Sequence, residues 1–483
     1  MTIAIVGGGW AGLAAAVHLR QQLGKRNTAT QAAQAIMVLE AAPVLGGRAR
    51  RVEHDGQIID NGQHILLGAY QSTLQLMQTV GIDISSVLQR LPVQLSYSDG
   101  FHFAAPTLAV PAPWHLLAGL LAIQGLSWAE RLAMSKVLLI SQLQGWRCAD
   151  TLTVAQWLQQ HGQPQRVTER IWAPLCISAL NTPPTAASAT VFLAVLRDSL
   201  GARRQDSDML LPKVDLSRLL PNAAQAYLLE QGDVVQTGCA VRGLQQVGQQ
   251  WQLQLQPGHH GLPPNATIAK PDTLVVDAVI LATPPWETGR LLGQWQIKHP
   301  TITTLQALRY HAITTVYLRY EDVRALRSQA LGNAHQDTRL TPAAKPFLAL
   351  PDAPTRQHFG QFVFDRFAMS GQAADRGLFA VVISASDQFD LDRHSLPMQI
   401  HRQLCEALNW PTTPQPIWHE VIAEKRATFA CTPQRALPSI SLAQGLLLAG
   451  DYMVADYPAT LESAVRSGQA AAEQLLAHLN TPH

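Results

Sequence analysis

The chain has 483 residues, enough for roughly two to four domains; 47% are hydrophobic and only 14% charged, against about 25% in ordinary domains, which excludes a disordered chain. Lys and Arg total 36 and Asp and Glu 34, a net charge of +2 with no long basic run, so nucleic acid is excluded as a partner. Five cysteines, an odd number with no CxxC spacing, exclude a disulfide framework and a structural zinc site.

The first element is the apolar run Thr2–Val6, rich in β-branched residues, which predicts a buried strand. Since the chain runs straight into it, the expectation is a cytosolic protein without a leader. Gly7, Gly9 and Gly12 follow in G-x-G-x-x-G spacing, and alanine-rich helical sequence continues to Leu23. Each glycine has its own task. Gly7 makes the tight turn out of the strand, Gly9 lets the backbone approach a pyrophosphate, and Gly12 lets helix and strand pack closely. The phosphates then rest on the helix N-terminus. The second strand, Ile36–Leu39, ends in Glu40, an acid placed to hydrogen-bond a ribose. It lies 28 residues past Gly12, and a polar loop over 24–34 takes up the extra length.

Gly46-Gly47-Arg48 comes next. E-x5-G-G-R resembles the signature of the flavin amine oxidase and carotenoid desaturase superfamily. The resemblance moves the cofactor from NAD to FAD, with Gly47 beside it and Arg48 near its flavin end. At the other end of the chain, the buried run Leu446–Ala449 leads to Gly450-Asp451, and Thr460-Leu461 opens a helix running to Leu479. This resembles the superfamily's closing motif. By that resemblance Gly450 and Asp451 meet the ribityl–phosphate region, and the backbone at Thr460 and Leu461 faces the ring, where a helix dipole stabilises an anionic reduced flavin. In the middle, 232–241, 251–255 and 274–282 read as strands, and Val241 packs either on the adenine or in plain core. No Cys or His before the last helix suits a covalent link, so FAD is expected to be non-covalent.

The resemblance implies an α/β, amine-oxidase-like two-domain flavoprotein. A discontinuous Rossmann-type FAD-binding domain takes residues 1–84, 208–290 and 425–483. An α+β substrate-binding domain takes 85–207 and 291–424. The apolar stretch Ala105–Gln144, with Trp114, Leu116 and Trp128 in it, reads as core or as a membrane-docking helix. No run of about 18 unbroken apolar residues predicts a spanning helix. Phe359–Phe367 and Leu378–Ser384 suit a sheet flooring a cavity.

Narrower motifs refine the family. They are DNGQHILLGAY (Asp60–Tyr70), WAPLCISALNTPPTAASATVF (Trp172–Phe192), LLPKVDLSRLL (Leu210–Leu220) and ATFACTPQRALPSI (Ala427–Ile440). With these the chain resembles the hydroxysqualene dehydroxylase family, squalene-associated flavoproteins of bacterial hopanoid synthesis. The resemblance implies a C30 isoprenoid alcohol that loses its hydroxyl as water, a delocalised carbocation, and hydride from N5 of reduced FAD to give squalene. Gly62 and Gln63 become flavin contacts. His64 becomes the first candidate acid, because imidazole titrates near neutrality, in competition with a histidine that moves no proton. Asp60 is second and Tyr70 third. A substrate so apolar must come from the bilayer or from upstream squalene-pathway enzymes, which places the protein peripherally on the cytoplasmic face of the cell membrane. Two alternatives stay open. One is a phytoene-type desaturase or amine oxidase, with Trp286 and Tyr457 near the ring. The other is a non-catalytic, flavin-containing lipid-handling partner.

Overall fold

A computed structural model of the chain describes residues 1–26, 35–104, 123–200, 204–256, 268–270, 272–294, 299–321, 346–351, 353–410 and 415–479. Leu116, Trp114, most of the polar loop over 24–34 and the terminal residues 480–483 lie outside them.

The β-branched N-terminal run forms strand Thr2–Val6, and from Ile3 onward it is buried. It sits inside a six-stranded sheet in the order Val234–Gln236, Ala35–Leu39, Thr2–Val6, Ala278–Leu281, Leu446–Leu448, Ser441–Ala443. All neighbours are parallel except the last pair. The sheet therefore draws on the beginning, middle and end of the sequence, and parallel strands buried on both faces need continuous apolar runs of this kind. Helix Trp10–Arg26 packs against the C-terminal helix Leu461–Leu479. Small residues allow the approach: a Cβ added at Gly468 would lie 2.2 Å from the Ala11 carbonyl oxygen.

Two strand expectations are corrected. The stretch 232–241 is not one strand. Val234–Gln236 pairs with Met37–Leu39, the chain then turns at Gly238 (φ +66°), and Val241 opens a strand of a second, four-stranded sheet. The stretch 274–282 likewise divides at Asp277 into Thr273–Val276 and Ala278–Leu281, which belong to different sheets. The Asp277 carboxylate accepts the Thr2 N–H at 2.7 Å and fixes the crossing point.

A five-stranded antiparallel sheet has the order Phe347–Ala349, Phe362–Asp365, Leu378–Ser384, Tyr310–Arg319, Trp418–Phe429. Its alternation serves two cores. Val316, Leu318, Phe379, Val381 and Ile383 face helix Leu396–Leu408. Tyr317, Phe364, Leu378, Ala380 and Val382 face Ile59 and Leu211. Ile59 belongs to the strand that ends at Asp60, so the second face carries the sheet to the candidate site. Helices Trp128–Leu143, Val154–Gln160, Ala173–Leu180 and Ala189–Leu200 occupy the stretch between. The first two open with capping boxes, Ser127 with Glu130 and Thr153 with Gln156. Among the described residues no helix is long and apolar enough to cross a membrane.

Space decides the sign of a glycine substitution. Gly468→Ala forces the two helices apart and is expected to cost about 1–3 kcal/mol. Gly24→Ala, in an exposed helical position with nothing within 4 Å, is expected to stabilise by up to about 1 kcal/mol. Thermal unfolding of the two variants should move in opposite directions; equal shifts contradict the close helix packing.

Candidate functional site

The glycine turn shows which glycines protein packing requires. Gly7 has φ +110°, and its N–H donates to the Leu39 carbonyl at 2.8 Å. A Cβ at Gly12 would fall 1.9 Å from the Gly7 oxygen. Gly9 differs: the nearest atom to its added Cβ is the Gly47 Cα at 3.8 Å. The fold thus demands glycine at 7 and 12, whereas at 9 a Cβ would make only ordinary contact with the Gly47 backbone. Gly9 adjoins the first turn of Trp10–Arg26, whose leading N–H groups have no partner within the helix. Glu40 does something the sequence did not announce. Its two carboxylate oxygens accept the Gly8 and Ala42 N–H groups, each at 2.7 Å, so it clamps the glycine turn to the chain after the second strand. The Glu40 and Ala42 carbonyls accept the N–H groups of Cys239 and Gly238 at 2.7 and 2.9 Å. Val241, buried, follows directly, and so Glu40 and Val241 share one corner.

Arg48 joins three stretches. One guanidinium nitrogen donates to the Ala427 carbonyl at 2.7 Å, and another pairs with Asp451 at 2.8 Å. Asp451 is nearly buried and Arg48 about a quarter exposed. Gly47, with φ +63°, lies beside Gly9. A Cβ at Gly450 would strike the Tyr452 ring at 2.2 Å, and the Gly450 N–H donates to Ser467 Oγ at 2.8 Å. Thr460 caps the last helix reciprocally with Ser463, each backbone N–H donating to the other's hydroxyl at 3.1 Å. Ala459 before it holds φ +60°, a strained value for a residue with a Cβ. Leu461 is the first helical residue. Glu462, fully buried and not foreseen, accepts the Thr73 N–H at 2.9 Å and hydroxyl at 2.7 Å, so it caps helix Gln71–Thr79. Tyr70 precedes that helix and meets Tyr457 edge-on at 6.2 Å. Burial pushes the Tyr70 phenol well above its usual pKa.

The DNGQH turn is held by a closed ring of polar groups, buried at Asp60, Tyr317 and Arg366 and half-buried at Gln63. Tyr317 OH donates to the Asp60 carbonyl at 2.9 Å, and Gln63 Nε2 donates to Tyr317 OH at 2.9 Å. Arg366 donates to Gln63 Oε1 at 3.0 Å and pairs with the Asp60 carboxylate at 3.4 Å. The other Asp60 oxygen accepts the Leu216 N–H at 2.8 Å. Asp60 is therefore committed to structure. Gly62 (φ +89°) turns the chain, and Thr315 Oγ1 lies 3.7 Å from where its Cβ would stand. Thr315 Oγ1 and Tyr310 OH are buried with no hydrogen-bond partner among the described residues. His64 Nδ1 lies 3.3 Å from the Gly62 oxygen. Burial holds its pKa below the usual histidine value, against the opposing pull of the Gly62 carbonyl, and the Arg48 charge adds a smaller push in the same direction as burial. It is neutral at pH 7, which disfavours the proton-donor role expected for it.

The narrow motifs touch one another. Asn181 Nδ2 donates to Thr428 Oγ1 at 2.9 Å, and the Cys431 N–H donates to Thr182 Oγ1 at 3.1 Å. Arg435 donates to the Tyr452 and Val454 carbonyls at 2.9 and 3.0 Å and so ties the Ala427–Ile440 motif to the loop after Asp451. Trp286 packs edge-on against Tyr310 at 5.3 Å, and Tyr457 against Tyr70, so these aromatics form two separate pairs.

The residues present fit a dinucleotide cofactor. The glycine turn from Gly7 to Gly9, the adjacent helix N-terminus and the unpartnered Thr315 and Tyr310 hydroxyls offer what a bound pyrophosphate and a polar ring edge require. Comparison with known proteins agrees. Residues 10–476 match the family described as flavin containing amine oxidoreductase. Hydroxysqualene dehydroxylase of Rhodopseudomonas palustris is 28% identical over 99% of this chain and 98% of its own length. The Zymomonas mobilis protein of the same name is 26% identical over 98% and 99%. A 15-cis-phytoene desaturase of Synechococcus elongatus is 26% identical over 49% of each chain. Among solved structures, putrescine oxidase with bound putrescine covers 99% of both chains at 16% identity and TM-score 0.67. A putative protoporphyrinogen oxidase from Exiguobacterium gives 16% and 0.65 over 99% of both. These structures share the fold.

Burial raises the Asp60 pKa from 3.8 to about 6, against the opposing Arg366 charge. The folded chain then holds a proton that the unfolded chain has released, and Asp60 contributes less stability as pH rises through that window. Wild-type stability relative to Asp60→Asn is expected to fall by up to about 1.4 kcal/mol per pH unit between about pH 4 and 6. Urea unfolding of both proteins across pH checks this; a pH-independent difference contradicts it.

Proposed function

The chain belongs to the flavin containing amine oxidoreductase family, and we propose that within it this oxidoreductase converts hydroxysqualene to squalene with non-covalently bound FAD. The observation that carries the reading is end-to-end similarity to proteins of that activity, whereas similarity to the Synechococcus phytoene desaturase spans only half the chain. The contact between the LNTP stretch and the ATFACTP stretch supports it, because both motifs point to the same family.

In this reading the six-stranded sheet and its helices hold the cofactor, through residues 1–84, 208–290 and 425–483, and the remaining segments hold the substrate. Gly7, Gly9 and Gly12 shape the pyrophosphate turn, with Glu40 and Val241 at the adenosine end. Gly47, Arg48, Gly450 and Asp451 flank the ribityl chain. Gly62, Gln63 and the helix start at Thr460 and Leu461 lie along the ring. Reduced FAD, when bound, supplies a hydride. The substrate C–O bond breaks with a proton taken up by the leaving oxygen, and the carbon receives the hydride, so one alcohol gives one hydrocarbon and one water. The chain's task is to hold the turn 61–64 rigid and keep bulk water from the cation. The Asp60–Arg366–Gln63–Tyr317 ring does the first. The apolar cores packed on both sides do the second. Neutral His64 orients the turn through its contact with Gly62.

Photoreduced protein mixed anaerobically with hydroxysqualene is expected to reoxidise its flavin and release an equal amount of squalene. A flavin that stays reduced, or an oxidised protein that accepts electrons from phytoene or an amine, contradicts the reading. Removing a general acid costs about 10²–10⁴-fold. His64→Gln is expected to lose less than about tenfold in kcat, with a pH profile parallel to wild type between about pH 6 and 8. A larger loss with a changed profile would make His64 the proton donor.

A further inference from the structure

Helix Trp128–Leu143 turns an apolar stripe to solvent. Trp128 is 66% exposed, Leu132 60%, Leu139 51% and Leu143 79%. Ten large hydrophobic residues are exposed among the described residues, and these four are the only ones that share an element. At 3.6 residues per turn they fall within about 60° of one another, along roughly 22 Å of helix. The opposite side, with Met134, Val137 and Ser141, is buried. The stripe is therefore in excess of what the core uses.

Charge tells what covers it. Arg131 lies about 60° to one side of the stripe and Lys136 about 20° beyond its other edge. The Arg131 guanidinium sits over the Trp128 ring, 4.8 Å from its centroid. Glu130, the helix's one acid, lies on the far side and is taken up by the capping box with Ser127. An apolar band edged by cations, with a tryptophan at one end, is the pattern of a helix lying in the plane of a bilayer surface. A second protein copy would place like charges face to face across a self-complementary contact.

We propose that the Trp128–Leu143 helix docks this protein on an anionic phospholipid bilayer, with Trp128, Leu132, Leu139 and Leu143 in the headgroup–acyl boundary and Arg131 and Lys136 on lipid phosphates. The value of such docking rests on the function proposed above, since a C30 isoprenoid alcohol and its hydrocarbon product both partition into lipid. Four large apolar side chains leaving water and two cations drawn to anionic headgroups suffice for reversible attachment.

The test is flotation of the purified full chain with vesicles of phosphatidylcholine alone or with about one third phosphatidylglycerol. Wild type is expected to float with the anionic vesicles, at least tenfold less with the neutral ones, and less as salt rises. Leu132→Ser/Leu139→Ser is expected to lose at least tenfold in binding while turning over detergent-dispersed hydroxysqualene at the wild-type rate. Lys136→Glu should weaken only the anionic preference. Brominated lipid should quench part of the tryptophan emission in wild type, and not that part in Trp128→Phe. Wild type that stays at the bottom of the gradient overturns the proposal. So does a double variant that floats equally well, or one that turns a wild-type dimer into a monomer. Lipid binding is read without turnover, so its failure is separable from failure of the dehydroxylation reading.

Discussion

Arg48 is the point on which the architecture turns. It follows the glycines of the second turn, donates to the Ala427 carbonyl of a long antiparallel strand, and pairs with Asp451 at the end of the last parallel strand. Two of its partners lie some 380 and 400 residues away in sequence. A partly buried ion pair gains little net energy against its desolvation cost. Its value is geometric: the planar guanidinium reaches a carbonyl and a carboxylate at once, and so sets the distance between segments that nothing in the local chain would hold together. Glu40 repeats the device at the other end of the site, with its carboxylate accepting backbone N–H groups from the turn after the first strand and from the chain after the second.

From these clamps the rest of the site follows. The cofactor reading needs a rigid floor on one side of the ring and an apolar roof on the other. The floor is the turn after Asp60, and the chain does not leave its shape to local propensity. Tyr317 comes from one sheet strand and Arg366 from the helix that follows another, and both are fixed by the packing of the antiparallel sheet. A change in that sheet therefore reaches the turn through two hydrogen bonds. Glu462 works likewise between two helices: it lies in the first turn of Leu461–Leu479 and caps another, so that helix N-terminus cannot shift without uncapping Gln71–Thr79.

Much of this was legible in the sequence, for physical reasons. Gly7 and Gly12 announce their turn because no other residue fits, and the parallel strands announce themselves as continuous apolar runs. The fold class and family follow from those signals and the narrow motifs. The break at Gly238 was not legible, since 232–241 has strand composition throughout and only its choice of two different partner sheets divides it. Glu462 stands four residues from Arg466, a spacing common on exposed helix faces, and nothing local shows that the glutamate is buried against another helix. Tyr317 and Arg366 carry no motif at all. His64 was found by position, but its proton affinity depends on burial, on the Gly62 carbonyl and on Arg48, which spacing does not contain. In the described part of the stretch 105–144, helix Trp128–Leu143 buries Met134, Val137 and Ser141 and exposes Trp128, Leu132, Leu139 and Leu143, a division that apolar composition alone does not show.

The central claim is that stretches from the beginning, middle and end of the polypeptide close around one FAD per chain. Acid precipitation of the purified protein, followed by identification and quantitation of the released nucleotide, tests it most directly. The expected result is a yellow protein that gives up one FAD per chain and leaves a colourless pellet. A colourless protein that takes up no FAD on reconstitution, or a flavin that stays with the precipitated chain, would contradict it.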